Sequence, residues 1–125
     1  MAGEITFWEG NGGTQDQVGN TLSGGKNYNI DCQDGDYGFS NDEARSLKLQ
    51  NIPSGITIIK VYDSPSASES DDWARITIMG PVSAATVGTF NSGGEYADGK
   101  VKCESYYNNG LDGKISKIFI DYIPM

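Results

Sequence analysis

Followed for its apolar and polar positions, the chain breaks into short alternating runs separated by glycine, asparagine, aspartate and serine. Glu4-Ile5-Thr6-Phe7-Trp8-Glu9 alternates and is rich in β-forming residues, so it reads as a strand that stops at the Gly10-Asn11-Gly12-Gly13 turn. Asp16 to Thr21 fits a short second strand, and Asn27 to Cys32 a third after the Ser23-Gly24-Gly25 turn. Ser46-Leu47-Lys48-Leu49 places both leucines on one face. Pro53-Ser54-Gly55 separates two halves, and Ile56 to Asp63 is the clearest strand of all. Trp73 to Met79, Lys100 to Ser105 and Ile115 to Ile123 complete the set. No window of 11 residues carries an apolar face at helical spacing without Gly or Pro inside it, which leaves room for a helical turn only at 41–45 or 83–87. The pattern predicts an all-β chain of about eight short strands.

The chain also repeats itself. Asn41-Asp42-Glu43-Ala44-Arg45-Ser46, a polar run entering a strand, returns as Asp112-Gly113-Lys114-Ile115-Ser116-Lys117, 71 positions later. Cys32 and Cys103 keep the same spacing, each nine residues before its polar run. The strand Ile5 to Glu9 is echoed by Ile59 to Asp63 at a spacing of 54, so the second copy holds a net expansion of 17 residues. Two stretches offer room for it: the serine-rich acidic run Ser64 to Asp72 and the small-residue run Gly80 to Gly99.

Composition narrows the chemistry. At 125 residues the chain fits a single domain able to bury one core. Its formal net charge of −8 disfavours nucleic acid, which needs a basic patch to release counterions. No run of 18 apolar residues exists, so no membrane span is expected. Met1-Ala2-Gly3-Glu4 has neither the basic start nor the apolar stretch of a signal peptide. The cytoplasm is therefore the expected compartment, or secretion if a native leader was trimmed. Histidine is absent, which removes Ser-His-Asp and Cys-His catalysis and His-containing zinc sites. Cys32 and Cys103 suit either one disulfide or two half-buried thiols.

Two readings of the remaining side chains stay open. Phe7, Trp8, Tyr62 and Trp73 read as core or hairpin aromatics, and Tyr106-Tyr107 as a hairpin brace or a sugar-stacking platform. Asp71-Asp72 with Glu69 could make an acid/base carboxylate pair, but a solvated serine-rich loop suits them better, because a tuned pair needs burial. The chain is expected not to be an enzyme. The polar bends fit a hard cation, since Asn41, Asp42, Glu43 and Ser46 on one side, and Asp112, Ser116 and the carbonyls of Gly113 and Lys114 on the other, offer oxygens in tight turns.

The order and duplication of these motifs resemble the βγ-crystallin family over about residues 4–123, most closely its single-domain microbial members. The resemblance implies a β-sandwich of two Greek keys, about 4–52 and 56–123, within one domain spanning 1–125. It also implies calcium sites shared between the polar loops. Carried over, the ligands are the carbonyls of Glu9, Glu43, Asp63 and Lys114, the side chain of Asp42 and the Ser116 hydroxyl, with Asn41 and Asp112, the first positions of the two motifs, completing the candidate metal site. The motifs are incomplete: Arg45 replaces a hydroxyl, Gly113 replaces a carboxylate or amide, and Gly13 stands where an aromatic is usual. The resemblance therefore implies weak or single-site calcium binding by a monomeric structural or stress-related protein. The alternatives on the same fold are a metal-free structural or interaction domain and a secreted inhibitor or toxin.

Overall fold

A computed structural model describes residues 3–64, 66–67, 72–91, 93–106 and 115–124. Those residues are almost all strand: β1 (Glu4–Gly10), β2 (Thr14–Ser23), β3 (Tyr28–Asp31), β4 (Ser46–Tyr62), β5 (Trp73–Val87), β6 (Gly94–Tyr96), β7 (Val101–Tyr106) and β8 (Lys117–Ile123). The one helical element among them is a 3-10 turn at Asp36–Gly38. None of their helices is long and apolar enough to cross a membrane.

All pairings are antiparallel, and the sheet has two wings that share the long strands β4 and β5. In the first wing β2 pairs with β1, β1 with residues 46–50 of β4, and residues 47–52 of β4 with residues 82–87 of β5. In the second wing β3 pairs with β8, β8 with residues 56–62 of β4, and residues 55–62 of β4 with residues 73–80 of β5. The hairpin β6–β7 extends this wing along the outer side of β5.

The alternation that predicted the strands also orients them. Ile5 and Phe7 of β1, Leu47 and Leu49 of β4, and Val87 of β5 turn inward from the first wing. Ile59 and Val61 of β4, Ile76 and Ile78 of β5, and Ile118 and Ile120 of β8 do so from the second. All belong to one buried cluster. A sheet whose strands each bury only alternate residues must fold its two wings onto each other to hide those faces.

The expected break at Pro53-Ser54-Gly55 is absent, because β4 runs straight through it. β5 likewise continues past a cis Gly80-Pro81 bond to Val87, so 83–87 is strand and not a helical turn. Here the two strands pass from one wing to the other, with a register irregularity between Ile52 and Gly55. The crossing is tight: a Cβ on Gly80 would collide with the Pro53 carbonyl oxygen. Only hydrogen fits at that position, which accounts for glycine at residue 80, where the ladder pairs it with Gly55.

The outer face of the second wing carries a row of rings. Tyr62 stacks on Trp73 at 5.7 Å and Trp73 on Tyr106 at 4.6 Å between centroids, while Phe119 meets Tyr62 edge-on. Trp73 is thus a cross-strand stacking residue outside the core, and Phe7 a core residue. Tyr107 lies outside the described residues.

Candidate functional site

The bend at 41–45 is pinned from below by buried Ala44 and immediately precedes β4. Asp42 takes a left-handed conformation (φ 61°), which aspartate tolerates in turns. Its amide donates to the carbonyl of Ile115 at 3.2 Å, joining the first bend to the segment that enters β8. The Arg45 amide donates to the Trp8 carbonyl at 2.8 Å, and the Ser116 amide donates to the Tyr62 carbonyl, also at 2.8 Å. Arg45 and Ser116 are 71 positions apart, and Trp8 and Tyr62 are 54 apart. The two spacings seen in the sequence are therefore the same backbone contact made twice. Cys32 closes the set by donating its amide to the Ser116 carbonyl at 3.0 Å.

These bonds draw Asn41, Asp42, Glu43 and Ser116 to one end of the molecule, beside the strand ends that carry Glu9 and Asp63. Asp42 is exposed, Glu9, Glu43 and Asp63 are half-buried, and Ser116 is buried. Asp112 and Lys114 lie outside the described residues, as does Gly113. Arg45 is exposed. Among the described residues no three His, Cys, Asp or Glu side chains group closely enough to hold a metal ion. A cation here would depend on carbonyl, amide and hydroxyl oxygens. One such oxygen stands out: Asn41 Oδ1 is fully buried and has no hydrogen-bond partner among the described residues. A buried acceptor left unpaired costs roughly 1–3 kcal/mol, so this oxygen is suited to a donor or a cation from outside the chain.

Ser46 has a different task from the one its place in the polar run suggests. Its hydroxyl donates to the Gly10 carbonyl at 2.6 Å and accepts from the Gly13 amide at 2.8 Å. The side chain therefore fastens the β1–β2 hairpin onto the start of β4. The signal was its place at the end of the bend, where a side chain entering β4 meets the turn of the neighbouring hairpin.

Two further expectations are corrected. Asp72, read as part of a solvated loop, is fully buried, and its carbonyl accepts the Asp63 amide at 2.9 Å to close the β4–β5 hairpin; Glu69 and Asp71 lie outside the described residues. The cysteines are not counterparts. Ile30 faces Ile118, and Val87 faces Leu47, so positions 30 and 87 correspond and Cys32 lies just past the first of them. Cys103 sits instead on β7, in the hairpin inserted between β5 and β8, which holds most of the second copy's expansion. Both cysteines are thiols and both are buried, 3% and 2% exposed.

Burial, reinforced by the carboxylates of Asp31, Asp36 and Asp42, pushes the Cys32 thiol up from 9.0 to about 12. The folded state therefore keeps a proton that the unfolded chain loses above its own pKa, so this contribution is complete below pH 9 and declines toward pH 12. Urea unfolding at pH 10, compared with pH 8, is expected to show about 1.4 kcal/mol more loss of stability for the natural chain than for Cys32→Ala. Equal losses in the two proteins would contradict the buried neutral thiol.

Comparison of the chain with protein-family models, with curated proteins and with solved structures gave no match.

Proposed function

We propose that the chain is a βγ-crystallin-like domain of two Greek keys that binds one calcium ion weakly and has a structural, non-enzymatic role. What supports the fold reading is the order of pairing. β1 and β2 form a hairpin, β3 leaves for the other wing, and β4 returns beside β1. Residues 55–62 of β4, the two parts of β5, and β8 repeat that order. What supports the calcium reading is the hydrogen bond that joins the first bend to Ile115, beside an Asn41 whose amide oxygen is buried and has no partner among the described residues. Hard cations take such oxygens together with carbonyls and carboxylates. Asn41, Asp42 and Ser116, with the carbonyls of Glu9, Glu43 and Asp63, would supply them, joined by Asp112 and Lys114 from the second bend. Bound calcium would offset the cost of the orphaned oxygen and brace the junction of the wings.

The test is calcium titration by calorimetry on chelator-stripped protein, with thermal unfolding in calcium and in chelator. The expected result is one site with Kd weaker than about 10⁻⁶ M. Calcium at a hundredfold excess over Kd should add ~2.7 kcal/mol of stability, and Asn41→Ala should remove most of that increment. No calcium-dependent shift in either measurement would leave the metal-free structural domain as the correct reading. That reading draws on the absence of a carboxylate group of three among the described residues.

A further inference from the structure

We propose that the outer face of the first wing is a binding groove for a neutral oligosaccharide. A depression of about 400 Å³ lies across β2, β1, β4 and the end of β5, on the face opposite the core. Its residues form a grid fixed by strand register. Thr6 faces Lys48, which faces Thr86; Glu4 faces Gln50, which faces Ala84; Trp8 faces Gln17. The alternate positions, Ile5, Phe7, Leu47, Leu49 and Val87, point into the core, so the grid is the opposite face of the same strands.

The chemistry of this face is unusual for so acidic a chain. It offers amides and hydroxyls, with a single acid, Glu4, balanced by a single base, Lys48. A phosphate or nucleic acid finds no surplus of positive charge there, and a cation finds no cluster of carboxylates. The face also carries a large aromatic that the core does not use. Trp8 is half-buried, its Nε1 donates to Thr6 Oγ1 at 2.9 Å, and Lys48 Nζ stands 4.9 Å from its ring centroid. The indole is thereby held in one orientation with the ammonium over one ring face, so a ligand would stack on the other face. Gln17 is also set in place, its Nε2 donating to Thr21 Oγ1 at 3.0 Å and to the Gly19 carbonyl at 3.2 Å. Ala84, exposed on the far side, keeps the floor low.

A pyranose matches each of these features. Its C–H face is apolar and suits an indole, while its hydroxyls both donate and accept, as amides and hydroxyls require. The volume lies at the lower end of the range for ligand pockets and holds roughly one or two sugar rings. Preorganised side chains reduce the ordering cost that weak polar ligands would otherwise bear. The Tyr62–Trp73–Tyr106 row on the other wing is a poorer platform, because Trp73 is stacked between Tyr62 and Tyr106 on both faces, whereas Trp8 has the Lys48 ammonium over one.

The experiment is saturation-transfer NMR and calorimetry on the whole chain with cellotriose, chitotriose, xylotriose, maltotriose and mannotriose. At least one is expected to bind with Kd of about 10⁻³ M or tighter. Trp8→Ala should weaken it at least ~tenfold, in line with loss of a stacking contact. Ala84→Trp fills the floor from an exposed position, so it should abolish binding while the melting temperature holds. Tyr106→Ala should leave binding unchanged. Absence of transfer to all five sugars, survival of binding in Ala84→Trp, or its loss in Tyr106→Ala would each overturn the proposal.

Discussion

Replacing Phe7 with alanine is expected to destabilise the protein by about 3–5 kcal/mol, the range for emptying a large aromatic site in a packed core. Phe7 has no solvent exposure. Its ring meets Phe39 edge-on at 5.3 Å and Phe90 at a tilt at 6.2 Å. Neither partner is on a strand: Phe39 comes from the segment after β3, Phe90 from the segment after β5. The side chain thus joins β1 to two crossing segments at once. Phe39 in turn lies over Gly19, where an added Cβ would strike its ring, so neighbouring backbone is close and the site cannot collapse easily. That rigidity places the loss at the upper end of the range. Total stabilities of such domains are about 5–15 kcal/mol, so the variant should lose a large part of its folded margin. Urea unfolding followed by circular dichroism measures it. A loss under ~1 kcal/mol would mean that Phe7 is not between the two crossing segments.

Ser46→Ala is the second large effect, and it has a different origin. The hydroxyl serves the Gly10 carbonyl and the Gly13 amide, and both glycines are buried. Alanine removes one oxygen and leaves two backbone groups without partners. Each costs roughly 1–3 kcal/mol when water cannot replace the bond, so about 2–5 kcal/mol is expected. The loss should be local as well as global, because the hairpin turn is tied to β4 through this side chain. Amide exchange at Gly13 should accelerate well beyond that of the central β4 amides. Unchanged exchange at Gly13 would show that the turn holds itself, and that Ser46 is incidental to it.

Strand identity was visible wherever one face of a strand is buried and the other is wet. β1, β7 and β8 came within a residue or two of their observed bounds, because Ile5-Thr6-Phe7 or Ile118-Phe119-Ile120 announces its own period. The end of β5 could not be read this way. Between Val82 and Val87 stand serine, alanine, alanine and threonine, which have no contrast to alternate. Those residues become a strand because β4 offers them a ladder, with Gln50 opposite Ala84 and Lys48 opposite Thr86. The same partner carries β4 through Pro53 and Gly55, which read as a break when the chain is considered alone.

The candidate site divides in the same manner. Polar bends at 71-residue spacing were legible, since Asn, Asp and Ser in tight turns leave a compositional trace. The cysteine spacing was legible too, and misleading. A shared interval does not mark equivalent positions when an inserted hairpin has shifted one of them. The buried state of Asp72 and the service of Ser46 to the hairpin left no trace, since each depends on a backbone group brought from elsewhere in the chain.

The sequence by itself determined the β character, the approximate strands, the duplication and the acidic balance, because these follow from local alternation and composition. Only the tertiary structure decided how the wings share β4 and β5, which bends meet, and that a grooved polar face lies behind β1. Each of those depends on which distant backbone supplies the hydrogen bonds and the close contacts, and a one-dimensional pattern does not record its partner.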